Sequence, residues 1–473
     1  MYVAAFSLWL ADTAEIIYLS LLTTVLQPLW GLTNSQAAAI FSSVFAGQVV
    51  GTLLAGPLAD RFGRRPIFLA MTITCFLFGV LTAAANTYGL LIFFRFMVGV
   101  AIGGITVPFD CLAEYLPAAK RGRWLVTLNY SWMLGQLMVI LFAFITLGTS
   151  GDVSVNDASS NRPWRIFTIL AALPGILSCI VTWLYVPESP RWLLSKGRLQ
   201  EAVKVIRGVA KINKKNVDDL FPLNDGQTML TEGLENEKGN VRELFKPSWR
   251  KVSLSNAIIF FANGFFYFAA MQLSTILSSG GSDEVNSDGT STYSLNYIPI
   301  VVAALFEALG MIYPTVWIDR IGRKMPQLVG YCAAGIAMLL YGLLSSSLGQ
   351  QAVIMIARMM GTIIFVAMNT QISELLPTGV RGKGHSLFSC CQRMGGFASS
   401  YLIYSSLGRQ SVGGINAALC FVALGCVYLL PETNKRLFGG VVEHIVAIDG
   451  SGPSIVVKDP SSMEEGSMRK DQE

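Results

Sequence analysis

Windows long and apolar enough to cross a membrane recur along the whole chain, at 2–26, 36–58, 67–86, 90–113, 123–147, 164–186, 251–278, 295–318, 327–348, 350–374, 384–407 and 411–430. No other property limits the possible folds so sharply. Crossing the hydrocarbon core takes about 20 mostly apolar residues in a helix. Within lipid each backbone polar group must find a partner in the protein, which leaves only helices and closed barrels. A barrel would show alternating segments of about ten residues, and the sequence has none. The expected fold class is an all-α membrane protein of twelve transmembrane helices. Composition agrees, with 52% hydrophobic and 14% charged residues and a mean hydropathy of +0.52, outside the balance of soluble domains. The first window begins almost at Met1 and runs through Asp12 and Glu15 as a full-length span, not a cleavable signal. Any leader before it is either very short or missing from the sequence.

Loop charge sets the expected orientation, because Lys and Arg are retained on the cytoplasmic side. One set of loops holds Arg61, Arg64, Arg65, Lys120, Arg121, Arg123, Arg320, Arg323, Lys324, Arg381 and Lys383; the alternate set holds little more than Arg162 and Arg409. Both termini and the segment between the sixth and seventh windows are therefore expected in the cytosol. The expected units are an N-terminal half at 1–186, a cytoplasmic linker at 187–250, a C-terminal half at 251–430 and a largely disordered tail at 431–473. A helical pattern near 198–212 marks the linker, whose basic residues read either as a solvated surface or as a contact with anionic lipid. All eight cysteines fall in the windows without a zinc-site spacing, so free apolar thiols are expected.

An internal repeat organises the chain. Asp60-Arg61-Phe62-Gly63-Arg64-Arg65 returns as Asp319-Arg320-Ile321-Gly322-Arg323-Lys324, Ala113-Glu114-Tyr115-Leu116-Pro117 is echoed by Ser373-Glu374-Leu375-Leu376-Pro377, and Arg95-Phe96-Met97 by Arg358-Met359-Met360. The offsets of 259, 260 and 263 nearly coincide. One six-helix unit therefore occurs twice in the same orientation, and parallel halves with a site between them suit alternating access.

These residues carry a resemblance. Gly56-Pro57-Leu58-Ala59-Asp60-Arg61-Phe62-Gly63-Arg64-Arg65 resembles the loop 2–3 signature of the major facilitator superfamily, and the second copy sits where that family repeats it. Pro187-Glu188-Ser189-Pro190-Arg191-Trp192 and Pro431-Glu432-Thr433 are similar to motifs of its sugar-porter and organic-ion branches. Spans five and seven depart from the sugar pattern. They read Asn129-Tyr130-Ser131-Trp132-Met133-Leu134-Gly135-Gln136 and Asn263-Gly264-Phe265-Phe266-Tyr267-Phe268-Ala269 where sugar porters carry glutamine-rich stretches. The Ala11-Asp12-Thr13-Ala14-Glu15 run and span seven look instead like the synaptic-vesicle-protein-related transporters, whose relatives include proteins associated with nicotinate and organic cations.

The resemblance implies conformational gating by Gly56, Asp60, Arg61, Gly63, Arg64 and Arg65, and by Asp319, Arg320, Gly322, Arg323 and Lys324. Glu114, Arg121, Glu188, Arg191, Glu374, Arg381 and Glu432 are their implied partner charges. Physically, the glycines permit a tight turn, and the Asp and Arg can pair across the seam between halves or meet a helix end. Topology signalling alone would account for the arginines but not for the repeated Asp and Gly.

Ionisable residues inside a membrane are costly and point to function. Asp12 and Glu15 lie one helical turn apart on nearly one face of span one, and together they are candidates for proton coupling or charge recognition. Asp110 follows Pro108 on span four. Glu307 on span eight is either a site residue or the neighbour of a water-filled vestibule. Arg95 and Arg358 open spans four and ten, with structural pairing favoured for Arg95. Arg393 on span eleven either balances an acid across the cavity or holds a substrate carboxylate. Trp132 and Tyr267 are candidates for an aromatic pocket wall. Neither a catalytic constellation nor a phosphate-binding loop is present, so no enzyme activity or cofactor is expected, and energy must come from a gradient.

The reading is a secondary transporter of a small organic ion, coupled to protons, monomeric, embedded in the bilayer and without a nucleic-acid partner. Its host is the plasma membrane or an internal vesicle or organelle membrane. The alternatives are a sugar or polyol transporter and a non-transporting membrane protein with a binding or trafficking role.

Overall fold

The structure, a computed structural model, describes residues 2–105, 107–108, 111–112, 127–148, 150–153, 162–212, 241–280, 291–376 and 378–433. Asp110, Glu114 and Arg121 lie outside the described residues, and the side chains of Asp319 and Arg381 are likewise outside them. The first half contains α1 (Tyr2–Leu29), α2 (Asn34–Phe62), α3 (Arg64–Thr82), α4 (Tyr88–Gly103), α5 (Tyr130–Leu147) and α6 (Arg162–Tyr185). The linker contributes α7 (Pro190–Ser195) and α8 (Leu199–Ile212), and the second half contains α9 (Pro247–Ser278), α10 (Tyr297–Ile321), α11 (Lys324–Leu343), α12 (Ser347–Leu375), α13 (Thr378–Ile403) and α14 (Arg409–Leu429).

Among the described residues ten helices are long and apolar enough to span a membrane. Two others stand where the fourth and eleventh windows were predicted. The described part of α4 has 16 residues, and α13 has 26 but carries His385, Gln392 and Arg393 along its length. Apolar side chains such as Leu177, Ile180 and Leu184 stay exposed on the outer face of α6, where lipid rather than water is the solvent.

Packing repeats with the sequence. In the first half α1 packs on α5 and α6, α2 on α4, and α3 on α4 and α6; in the second α9 packs on α13 and α14, α10 on α12, and α11 on α12 and α14. The halves meet where α2 lies along α13 and α5 along α10, two seams that exchange under the same pseudo-two-fold relation.

One feature is absent from the sequence-based expectation. A three-stranded antiparallel sheet joins β1 (Ser150–Val153), β3 (Ser291–Leu295) and β2 (Ser279–Gly280), with Ser150 opposite Ser294 and Val153 opposite Ser291. β1 follows α5 and the other two strands link α9 to α10, so the sheet fastens one half to the other at the end remote from the Asp-Arg-Gly signatures. Beside it the Tyr297 hydroxyl donates to the Gly148 carbonyl at 2.7 Å, and the Phe144 and Tyr297 rings meet edge to face. The halves are therefore closed together at that end. The strand pattern was illegible because these segments are short, polar and lack apolar alternation.

Candidate functional site

At mid-depth the two seams enclose a small cavity. Trp9 and Asp12 of α1, Asn129 before α5 and Trp132 of α5 face Tyr267 and Phe268 of α9, Thr362 and Phe365 of α12, and Gln392 and Arg393 of α13. Its free space is about 40 Å³, room for a few waters, each of which needs about 10–15 Å³ of such space. The halves are thus drawn in around the site.

Trp132 and Tyr267 join across the cavity: the indole Nε1–H donates to the Tyr267 hydroxyl at 2.8 Å. Their rings are 6.2 Å apart. Phe268 packs on Phe45 of α2 at 4.7 Å, so a second aromatic pair also bridges the halves. An electron-rich wall of this kind favours flat or cationic groups. The amide of Gln392 donates to Asn263 at 2.9 Å, and Asn263 donates to the Gly361 carbonyl at 3.2 Å, which fixes the polar floor in the second half.

Asp12 and Glu15 part company. Asp12 faces the cavity with Arg393 at 3.7 Å and receives the Gln48 amide at 3.4 Å. Glu15 turns into the first half, where Arg95 binds it at 2.6 Å with both side chains almost wholly buried. Arg95 also donates through Nε to Thr82 at 3.0 Å and lies over the Tyr18 ring at 5.2 Å. The i, i+3 spacing thus puts the acids near each other on one helix yet gives them separate partners. Of the two readings for Arg393, the balance of an acid across the cavity matches its position. For Arg95 it is structural pairing.

Glu307 is fully buried. Arg358 holds it at 2.6 Å and reaches Ser274 at 3.1 Å. Gln136, from the other half, completes this group by donating to Glu307 Oε2 at 2.5 Å and accepting from Arg358 Nη2 at 2.8 Å. At the repeat offset of 259, Glu15 corresponds to Ser274 and Gln48 to Glu307, so the acid that serves the repeated arginine has moved from the first span of one half to the second span of the other. Sequence reasoning passed over Gln136, Gln48 and Ser274. Their signal was present, as polar residues deep in apolar windows at repeat-related positions.

The two signatures build matching turns. Gly63 has φ +108° and Gly322 φ +97°, conformations that L side chains rarely adopt. A Cβ at either would strike the carboxylate of Glu188 or Glu432. Glu188 accepts from the amides of Arg64 and Ser189, each at 2.9 Å, and of Arg65 at 3.2 Å. Glu432 accepts from Arg323, Lys324 and Thr433, each at 3.0 Å. The acid thus satisfies open N–H groups at a helix start, where the dipole also favours a negative charge. Arg323 adds an ion pair to Glu374 at 2.7 Å, and Lys324 Nζ donates to the Tyr428 carbonyl at 2.7 Å.

All these contacts stay within one half. Among the described residues they realise one of the two expected options, charge at a helix end, because Glu188 and Glu432 follow the last span of each half directly over the turn. Asp60 enters through its carbonyl, which accepts from Trp192 Nε1 at 2.9 Å. Arg61, Arg191 and Arg320 are exposed, and no atom would crowd a Cβ on Gly56.

Paired parallel halves around a central charged and aromatic cavity define a membrane transporter of the major facilitator type. The chain belongs to the family described as sugar (and other) transporter, whose sequence pattern matches residues 4–443. It is 26% identical over 465 residues to organic cation/carnitine transporter 7 of Arabidopsis thaliana, covering 90% of each chain. With the synaptic vesicle 2-related protein of Xenopus laevis it shares 27% identity over 448 residues, 90% of this chain and 77% of that one. The putative metabolite transport protein YncC of Bacillus subtilis is 27% identical over 435 residues, 87% of each. Among solved structures, the partially occluded inward-open form of the Escherichia coli xylose transporter XylE superposes with a TM-score of 0.69 at 18% identity, covering 92% of this chain and 98% of that one.

Proposed function

We propose that this multi-pass transporter carries a small organic ion by alternating access and couples the movement to protons. The observation that supports this most directly is the loose pair of Asp12 and Arg393. Opposite charges from opposite halves stand 3.7 Å apart in the cavity, beyond a tight charge-assisted bond of about 2.7–2.9 Å. A buried pair so spaced is poorly compensated for lost hydration, so a charged solute or a proton arriving at either partner replaces a weak contact with a better one. The Trp132–Tyr267 wall beside it accepts an organic body. Glu15, paired with Arg95 one turn deeper, is the second carboxylate of the coupling path. In this proposal the halves at 1–186 and 251–430 rock as units, the signatures and both termini face the cytosol, and the monomer in its bilayer suffices. Asp110 and Glu307 complete the proposed charged set, with Glu114, Arg121, Asp319 and Arg381 among the gating residues.

A sugar or polyol cargo is the second reading, favoured by the amides of Asn129 and Gln392 on the cavity lining. Uptake of labelled organic amines, zwitterions, acids and sugars by reconstituted protein, with and without a pH gradient, separates the two. Gradient-stimulated uptake of an ion that Asp12→Asn abolishes supports the first. Uptake of sugars alone, unaltered by Asp12→Asn, supports the second.

A further inference from the structure

We propose that Gln136 is the residue through which the first half senses and latches the buried ion pair of the second, so that its amide sets how readily the halves separate. The inference rests on the alternating-access reading above. Glu15 and Arg95 are both held inside one half, and relative motion of the halves leaves that bond intact. Glu307 and Arg358 belong to the other half, but one hydrogen-bonding position on each is filled by Gln136 from across the α5–α10 seam.

The fit is two-sided. A glutamine amide presents one acceptor and a pair of donors, and here its oxygen takes an N–H of Arg358 while its nitrogen serves Glu307. All three side chains are fully buried. Gln136 lies eleven residues before the end of α5 at Leu147, roughly 16 Å along the helix and so near the middle of a core about 30 Å thick. When the halves part, the carboxylate and guanidinium each lose a charge-assisted bond where an unmet group is expensive. The latch thus favours the state in which the sheet end is shut, until water or a solute takes over the two positions.

Substitutions at Gln136 separate this role from simple packing. Leucine has similar bulk and neither bond. Glutamate is acceptor-only when ionised, set against Glu307, but its protonated form has one O–H donor and one C=O acceptor, the same pair the amide uses. Gln136→Leu should therefore loosen the closed state at every pH, and Gln136→Glu only at neutral to alkaline pH.

The backbone amides of β1 and β3 report closure without any need to know the solute, because their cross-strand hydrogen bonds join the halves. Hydrogen–deuterium exchange of the full chain in nanodiscs, corrected for intrinsic rates at about pH 5.5 and pH 8, is the experiment. Gln136→Leu should raise exchange in the peptides covering Ser150–Val153 and Ser291–Leu295 by at least about tenfold, the low end for losing one hydrogen bond to a charged group, while α3 keeps the wild-type rate. Gln136→Glu should match wild type at the acid pH and Gln136→Leu at the alkaline one. Wild-type exchange of the sheet in Gln136→Leu would overturn the latch. So would a Gln136→Glu protein with no pH dependence beyond that of wild type, even if Gln136→Leu failed to fold. Solute uptake by wild-type protein in the same lipid tests the transport reading separately, since it requires no change at Gln136.

Discussion

Arg95 offers the sharpest energetic test of how charge is held in this bundle. Replacing it with methionine keeps the apolar stem but removes the bond to Glu15 at 2.6 Å, the donation to Thr82 at 3.0 Å and the contact over Tyr18 at 5.2 Å. Glu15 is then buried without its cation, for which the cost is about 3–5 kcal/mol. At roughly 2 °C per kcal/mol for a large chain, the apparent melting temperature in detergent should fall by roughly 6–10 °C. Adding Glu15→Leu should recover most of that loss, because a buried pair exchanged for well-packed apolar side chains is often neutral or stabilising. Asp12→Asn removes only a 3.7 Å contact that poorly compensates its lost hydration, and should cost clearly less than Arg95→Met. Tryptophan fluorescence melting of wild type, Arg95→Met, Glu15→Leu and the double variant closes the cycle, with Asp12→Asn beside them. Additive losses for Arg95→Met and Glu15→Leu, or equal losses for Arg95→Met and Asp12→Asn, would refute the claim that Glu15 is held by a tight buried pair and Asp12 by a loose one.

Three further outcomes follow from the geometry. Gly63→Ala and Gly322→Ala should each lower stability by about 1–3 kcal/mol, the cost of a side chain in a left-handed or otherwise sparse conformation, whereas Gly56→Ala should not destabilise; melting curves compare them directly. Trp132→Phe removes the 2.8 Å bond to Tyr267 and should weaken solute affinity by roughly tenfold, a loss of about 1.4 kcal/mol, read by competition in uptake assays. A Gly151→Cys, Tyr293→Cys pair, opposite in the sheet register, should halt turnover on oxidation and release it on reduction; undiminished uptake by the oxidised form would show that the sheet stays joined throughout the cycle.

The helical plan was legible because lipid allows few solutions, and the windows at 36–58 and 411–430 needed only a few residues of adjustment at each end. Gly63 and Gly322 were legible as turns from the repeated signature. Their acidic partners were named as well, but not that those acids cap backbone amides inside one half. Spacing along a helix says which residues share a face, and it does not say which neighbour that face meets. This is why Asp12 and Glu15, assigned to one task, go to Arg393 and Arg95. Gln136 was hidden for the same reason, since its importance comes from two charges on α10 and α12, far along the chain. The β1–β3 clasp depends on backbone pairing between polar loops, which leaves almost no side-chain pattern to read.

In the proposed mechanism Asp12, poised against Arg393 between the halves, makes this chain a gradient-driven carrier of an organic ion. Its most direct test is initial-rate uptake of a labelled organic ion into proteoliposomes with an imposed inward proton gradient, wild type beside Asp12→Asn. Uptake should be accelerated severalfold by the gradient in wild type, and flat with pH and much reduced in Asp12→Asn, with both proteins equally reconstituted. Equal rates and equal pH response in the two proteins would contradict it.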